Sequence, residues 1–234
     1  MNNARLLFVL GVPKSGTTWL QRLLDAHGEI RCTGEGAFHA YLTAMLKAAR
    51  QYNKHLAARN DIFREDAFAP MDDDEIAQLA RSFVIQRIRK AMTSPPDARV
   101  RWVGNKDPDH GVNIASMIRL FPRAAFIHIV RDGRDHMISL RRHMQRHHPD
   151  YQPERFADLA TMARERAPQW ANYIRTVRKH AAAAGVLYHE LRYEDLLDHP
   201  ETTTRKLLAA LAVDASAESV RACLAATEFT RLSG

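Results

Sequence analysis

"LFVLGVPKSGTTWLQRLL", residues 7–24, runs from a continuously apolar stretch through a short loop into helical spacing. An apolar run bounded by Gly11 reads as a strand buried on both faces. Trp19, Leu20, Leu23 and Leu24 then recur at the period of a helix face, and Gly28 is the expected C-cap. Strand, glycine-containing turn and helix N-terminus aim several backbone N–H groups at one point, which predicts an anion site. The hydroxyls of Ser15, Thr17 and Thr18 add donors. Gly11 and Gly16 have the spacing of a nucleoside-triphosphate loop, but Thr17 stands where that loop needs its lysine, and Lys14 lies inside instead.

The rest of the chain alternates in the same way. Helices are expected over 38–59, 72–92, 113–121 and 132–147, with Asp72 to Asp74 near the positive end of the second. Residues 154–184 also read as helical, broken near Pro168. Strands are expected over 101–105, 124–131 and 186–193, and two closing helices over 201–213 and 216–226. This order predicts a three-layer α/β/α fold with a mainly parallel central sheet. The 234 residues, 46% hydrophobic, suffice for one core, and no repeat or linker divides them, so residues 1–234 read as a single domain.

A formal charge of +7 favours an anionic partner. Of 34 basic residues only seven are Lys, which draws attention to Lys14 and Lys106. Cys32 and Cys223 are not arranged as a metal or redox pair and read as reduced thiols of a cytoplasmic protein. The N-terminal apolar run is too short for a signal peptide, and no stretch reaches membrane-spanning length. His143 and His147 sit four apart without an acidic or Cys ligand to complete a metal site, so a solvated basic helix is the reading and no metal is expected. No nucleic-acid motif appears.

The string "PKSGTTWL", residues 13–20, resembles the 5′-phosphosulfate loop of sulfotransferases that use 3′-phosphoadenosine 5′-phosphosulfate (PAPS), particularly the bacterial and protein-tyrosine branch. "FIHIVRDGRDHMISL", residues 126–140, resembles the 3′-phosphate motif of that family, an Arg ending a strand and a Ser eight residues later. "NKDP" (105–108) and "LRYEDLLDHPE" (191–201) resemble two further segments, the match running from residue 6 to about 211. The resemblance implies a fold like that of nucleotide kinases and in-line transfer of a sulfuryl group from PAPS to a hydroxyl or amine acceptor. It implies that Lys14, Ser15, Gly16, Thr17, Thr18 and Trp19 hold the 5′-phosphosulfate, that Arg131 and Ser139 hold the 3′-phosphate, and that Tyr193 lies near the adenine. Lys14 and Lys106 become the cations beside the transferred group.

Glu35 is the expected general base. It lies in "RCTGEGAFH", residues 31–39, after a second short strand that precedes the one over 101–105, on the loop that a doubly wound sheet brings to the same edge, and it resembles the base of the protein-tyrosine branch. Pro108 occupies the position where cytosolic members carry a His base, which leaves His110, Asp109 and His39 as the other candidates. Gly133 replaces a Pro common in the family. The chain stops at "FTRLSG", before the Gly- and Arg/Lys-rich loop with which members usually cover the nucleotide, so that loop is expected to be missing. The acceptor, small molecule or peptide, is expected to be shaped by residues 36–95 and 145–170, and a homodimer is among the assemblies the sequence leaves open. A P-loop small-molecule kinase needing magnesium, and a non-catalytic basic module binding anions, are the alternatives.

Overall fold

The first strand, β1 (Arg5–Leu10), sends Leu7 and Val9 to one side of the sheet and Phe8 and Leu10 to the other, and all four are sealed from solvent. A strand apolar on both faces must be covered on both, and fully burying each such side chain contributes about 1.5–3 kcal/mol. The computed structural model describes residues 4–63, 68–92, 98–147 and 158–227. In it β1 is the centre of a five-stranded sheet with β2 (Ile30–Thr33), β3 (Trp102–Lys106), β4 (Ala125–Val130) and β5 (Leu187–Arg192). The order is β2-β3-β1-β4-β5 and every pairing is parallel.

One face is covered by α1 (Thr17–Asp25), α9 (Pro200–Ala210) and α10 (Ala217–Ala225), through Leu20, Leu24, Leu207, Leu208, Val220 and Cys223. The other is covered by α2 (Phe38–Phe63), α3 (Asp73–Ala91), α5 (Ile114–Leu120) and α7 (Leu159–Ala184), through Phe38, Val84, Ile88, Met117 and Val177. Three layers follow, as the alternation of elements required. The remaining helices, α4 (Asp109–Val112), α6 (Gly133–His147) and α8 (Tyr193–Asp198), begin close behind the C-terminal ends of β3, β4 and β5. In α3 Asp72 accepts from Glu75 N–H at 2.8 Å while Glu75 accepts from Asp72 N–H at 3.0 Å, a reciprocal cap that explains the acidic run.

Two expectations need correction. The C-cap of α1 is Ala26, with right-handed φ of −71°, so Gly28 does not end the helix. The chain leaves the helix through the buried His27, whose Nδ1 accepts from Glu29 N–H and whose Nε2 meets the Asp214 carbonyl at 2.9 Å. The helix α7 is also unbroken at Pro168, although residues 154–157 lie outside those described. Pro168 and Arg164 are both exposed, so the carbonyl deprived of its helical N–H faces water, where the loss is least costly.

Candidate active site

In a parallel sheet the loops after the strands gather at one edge, and here those following β1, β2, β3, β4 and β5 meet there. The loop after β1 turns through two left-handed residues, Lys14 at φ +72° and Gly16 at φ +93°. For Lys14 that conformation costs about 1–2 kcal/mol, and it tilts successive N–H groups toward one concavity. The first backbone hydrogen bond of α1 runs from Leu20 N–H to the Gly16 carbonyl at 3.0 Å, and Gly16 supplies no side-chain cap. The helix therefore presents open N–H donors at Thr17, Thr18 and Trp19. A side chain at position 16 is excluded twice over: φ is positive, and a Cβ would lie 2.6 Å from the Tyr193 ring.

These groups border a cleft of about 580 Å³. Lys14, Gly16, Thr17, Thr18 and Trp19 form one wall, and Arg131, Ser139, His143 and Tyr193 another. Glu35, Asp107 and Asp109 complete it. Sequence strings more than a hundred residues apart thus share one cavity. Ser15 is in the loop but turned inward: its hydroxyl is buried with no partner, so only its backbone remains for a ligand.

Arg131 does not pair with its neighbour Asp132. Asp132 pairs with Arg134 at 2.7 Å, which lowers the Asp132 carboxyl to about 2. Arg131 instead donates from Nη1 to the Lys14 carbonyl at 3.2 Å and stacks 4.4 Å from the Tyr193 ring centroid, while its Nε is buried without a partner. Lys14 Nζ lies 3.4 Å from His143 Nδ1. Burial, then Arg131 and Arg146, lower the Lys14 pKa from its ordinary value. Two guanidiniums pressing on one ammonium form a cluster that a polyanion would relieve.

Lys106 ends β3, almost wholly buried, and its ammonium pairs with Glu35 Oε1, which is more than half exposed. Lys106 therefore lies beneath the cleft wall and Glu35 on it. The loop that carries Glu35 is held by Asp107, whose Oδ2 accepts from Ala37 N–H at 3.2 Å and whose Oδ1 accepts from Asp109 N–H at 3.0 Å. Ala37 itself is left-handed, φ +48°, so this buried carboxylate stabilises a strained turn.

The other base candidates are placed differently. His110 is fully enclosed, with Nε2 on Asn105 Oδ1 at 3.0 Å and Nδ1 on His39 Nε2 at 3.1 Å, and burial holds its pKa well below the ordinary value. His39 faces a separate cavity between α2, α3 and α5. Asp109 alone of the three reaches the cleft.

Sequence reasoning missed Tyr173. From α7 its hydroxyl accepts from Gly11 N–H at 3.1 Å and donates to the Pro108 carbonyl at 2.8 Å, tying the loop after β1 to the loop after β3. Gly111 leaves room for it, since a Cβ there would lie 2.0 Å from that oxygen. Asp107 and His143 were missed as well. Among the described residues no group of three His, Cys, Asp or Glu side chains could hold a metal ion, and no helix is long and apolar enough to cross a membrane.

Residues 7–217 match the sulfotransferase family. Among characterised relatives, protein-tyrosine sulfotransferase 1 of Rattus norvegicus is 31% identical over 56% of this chain and 32% of its own length. The Danio rerio protein of the same name is 27% identical over 87% of this chain and 52% of its own. The chain thus spans about a third to a half of these relatives. Among solved structures, a sulfotransferase from Alicyclobacillus acidocaldarius superposes with TM-score 0.59 at 15% identity, covering 92% of this chain and 83% of that one. Mouse sulfotransferase SULT7A1, solved in complex with PAP, gives 0.57 at 15%, over 97% and 66%. At such identities the structures establish a shared fold.

Proposed function

The chain belongs to the sulfotransferase family, and from that premise we propose that it moves a sulfuryl group from PAPS to a hydroxyl acceptor. The observation that carries the proposal is the convergence of two anion anchors, 117 residues apart, joined where Arg131 donates to the Lys14 carbonyl. Lys14 and the open N–H groups of residues 16–19 take the 5′-phosphosulfate. Arg131, whose Nε lacks a partner, and Ser139 take the 3′-phosphate. The flat Arg131–Tyr193 stack offers a surface beside it for the adenine.

The reaction then needs little more than placement and charge. Glu35 takes the proton of the acceptor hydroxyl. The acceptor oxygen bonds to sulfur as the sulfur–oxygen bond to the 5′-phosphate breaks, and the electron pair stays on the departing 3′-phosphoadenosine 5′-phosphate. Lys14 faces that growing charge. Lys106 acts on the other side, fixing the Glu35 carboxylate through their ion pair. No step calls on a metal ion. Cys32 and Cys223, both free and buried, support a reducing, cytoplasmic setting.

The test is transfer of label from PAPS to a panel of hydroxyl acceptors, beside thermal melts with PAP and with ATP. A ligand that binds only the native state stabilises it by about 2.7 kcal/mol at a hundredfold excess over Kd. PAP is expected to raise Tm without added metal. An equal rise with ATP that required magnesium would replace this reading with a kinase.

A further inference from the structure

A second cavity, of about 500 Å³, adjoins the donor cleft and shares Pro13 with it. Its walls come from the loop after β1, from α4, α6 and α7: Val12, Val112, Leu140, Met144, Trp170 and Tyr173. Leu140, Met144 and Trp170 pack on the buried pair Met137 and Met162, so these walls rest on a core of their own. No carboxylate or lysine borders the cavity among the described residues, and the Arg166 guanidinium donates to Gln169 Oε1 at 3.1 Å.

Two polar groups on this apolar surface stand out. His136, 2% exposed, lines the cavity with its Nδ1 unpartnered, and the Trp170 indole N–H is likewise buried and unpartnered. Buried polar atoms are normally paired, so a molecule in the cavity that reached either nitrogen would complete a hydrogen bond the chain leaves unmade. A hydroxyl or carbonyl oxygen accepts from an indole N–H, and a hydroxyl also suits an imidazole nitrogen.

Resting on the sulfotransferase reading above, we infer that this cavity holds the body of the acceptor, and that the acceptor is a neutral, ring-bearing alcohol or phenol rather than an acidic peptide. Its size fits one compact molecule, for which an apolar wall with few polar groups is the usual setting. Pro13 places that molecule against the residue preceding Lys14, so a hydroxyl at its near end enters the donor cleft. Burial, and then Arg131, push the His136 imidazole down to about 4, so at neutral pH it adds no positive charge to draw a carboxylate. Only Arg166, Gln169 and Trp170 come from the segments expected to shape the acceptor site. The helices α2 and α3 face a different cavity.

The experiment is calorimetric titration of the PAP-bound protein with a naphthol, with an acidic tyrosine peptide and a sugar alcohol alongside. The naphthol is expected to bind, and the peptide and sugar to bind at least about tenfold more weakly. Val112, 68% exposed, can be changed without touching the core. Val112→Arg is expected to weaken naphthol binding about tenfold or more and to leave PAP affinity unchanged, with Met144→Ala as a second variant in the wall. Preference for the peptide, or naphthol binding indifferent to both variants, would overturn the inference. Failure of PAP to bind would count against the donor assignment instead, and naphthol titration of the free protein would still decide the question of the cavity.

Discussion

The Arg131 guanidinium lies 4.4 Å from the centroid of the Tyr193 ring, and that ring in turn closes over Gly16. One aromatic face therefore joins the end of β4, the end of β5 and the loop after β1. Trp19 meets the same ring edge-on, 5.6 Å between centroids, so the platform is packed from behind before any ligand arrives.

Arg131→Ala is expected to weaken PAP binding about ten- to a hundredfold, the range of a charge-assisted hydrogen bond worth about 1.5–3 kcal/mol. The 3′-phosphate keeps the same charge in ground and transition states, so kcat at saturating PAPS should hold. Calorimetry with PAP and steady-state kinetics separate the two. A fall in kcat with unchanged affinity would move Arg131 to the reacting centre.

Lys14→Ala should lower kcat as well as affinity, because the charge it meets grows while the sulfur–oxygen bond breaks. Single-turnover rates at saturating PAPS check this. If only KM rises, Lys14 serves binding alone.

Glu35→Gln is expected to cut kcat by ~10²–10⁴-fold while PAP affinity stays within error, since the amide keeps the shape but takes no proton. A phenolic acceptor should lose less than an alkyl alcohol, as it gives up its proton more readily. Wild-type turnover in the variant would transfer the role to Asp109, which borders the same cleft.

Gly16→Ala should destabilise the protein by at least about 1–2 kcal/mol, the cost of left-handed backbone with a Cβ, before displacement of Tyr193 is counted. Chemical denaturation measures it, and PAP affinity should fall with it. An unchanged denaturation midpoint would mean that the loop has another conformation available.

Stability should fall on acidification from about pH 6.5 toward pH 4. His110, His128 and His136 all have pKa values lowered chiefly by burial, His136 to about 4 from an ordinary 6.5. Within that window the unfolded chain takes up protons that the native state refuses. The native state is then favoured above the unfolded pKa and loses that advantage as pH drops. Urea midpoints at pH 7 and pH 5 test the sign: a midpoint that rises at pH 5 contradicts it.

Much of the site was legible because it lies in contiguous strings. Lys14 and its neighbours follow a strand whose alternate residues must all be buried, and Arg131 follows another. Tyr173 gave no such signal. It sits among ordinary helical residues, and its meaning lies in Gly11, 162 positions away, which local spacing cannot reveal. Asp107 was read only as part of the string around Lys106, and the strained turn at Ala37 that needs it belongs to a different loop. Gly28 and Pro168 misled for the same physical reason. Each has a local preference that long-range contacts or exposure to water outweighed.

The Tyr173 hydroxyl, held between Gly11 and Pro108, is on the same helix as Trp170, and both side chains border the apolar cavity. One rigid strut thus touches the two compartments where donor and acceptor would meet. Whatever shifts α7 on one side strains or relaxes the loop on the other, and such an influence must run equally in both directions.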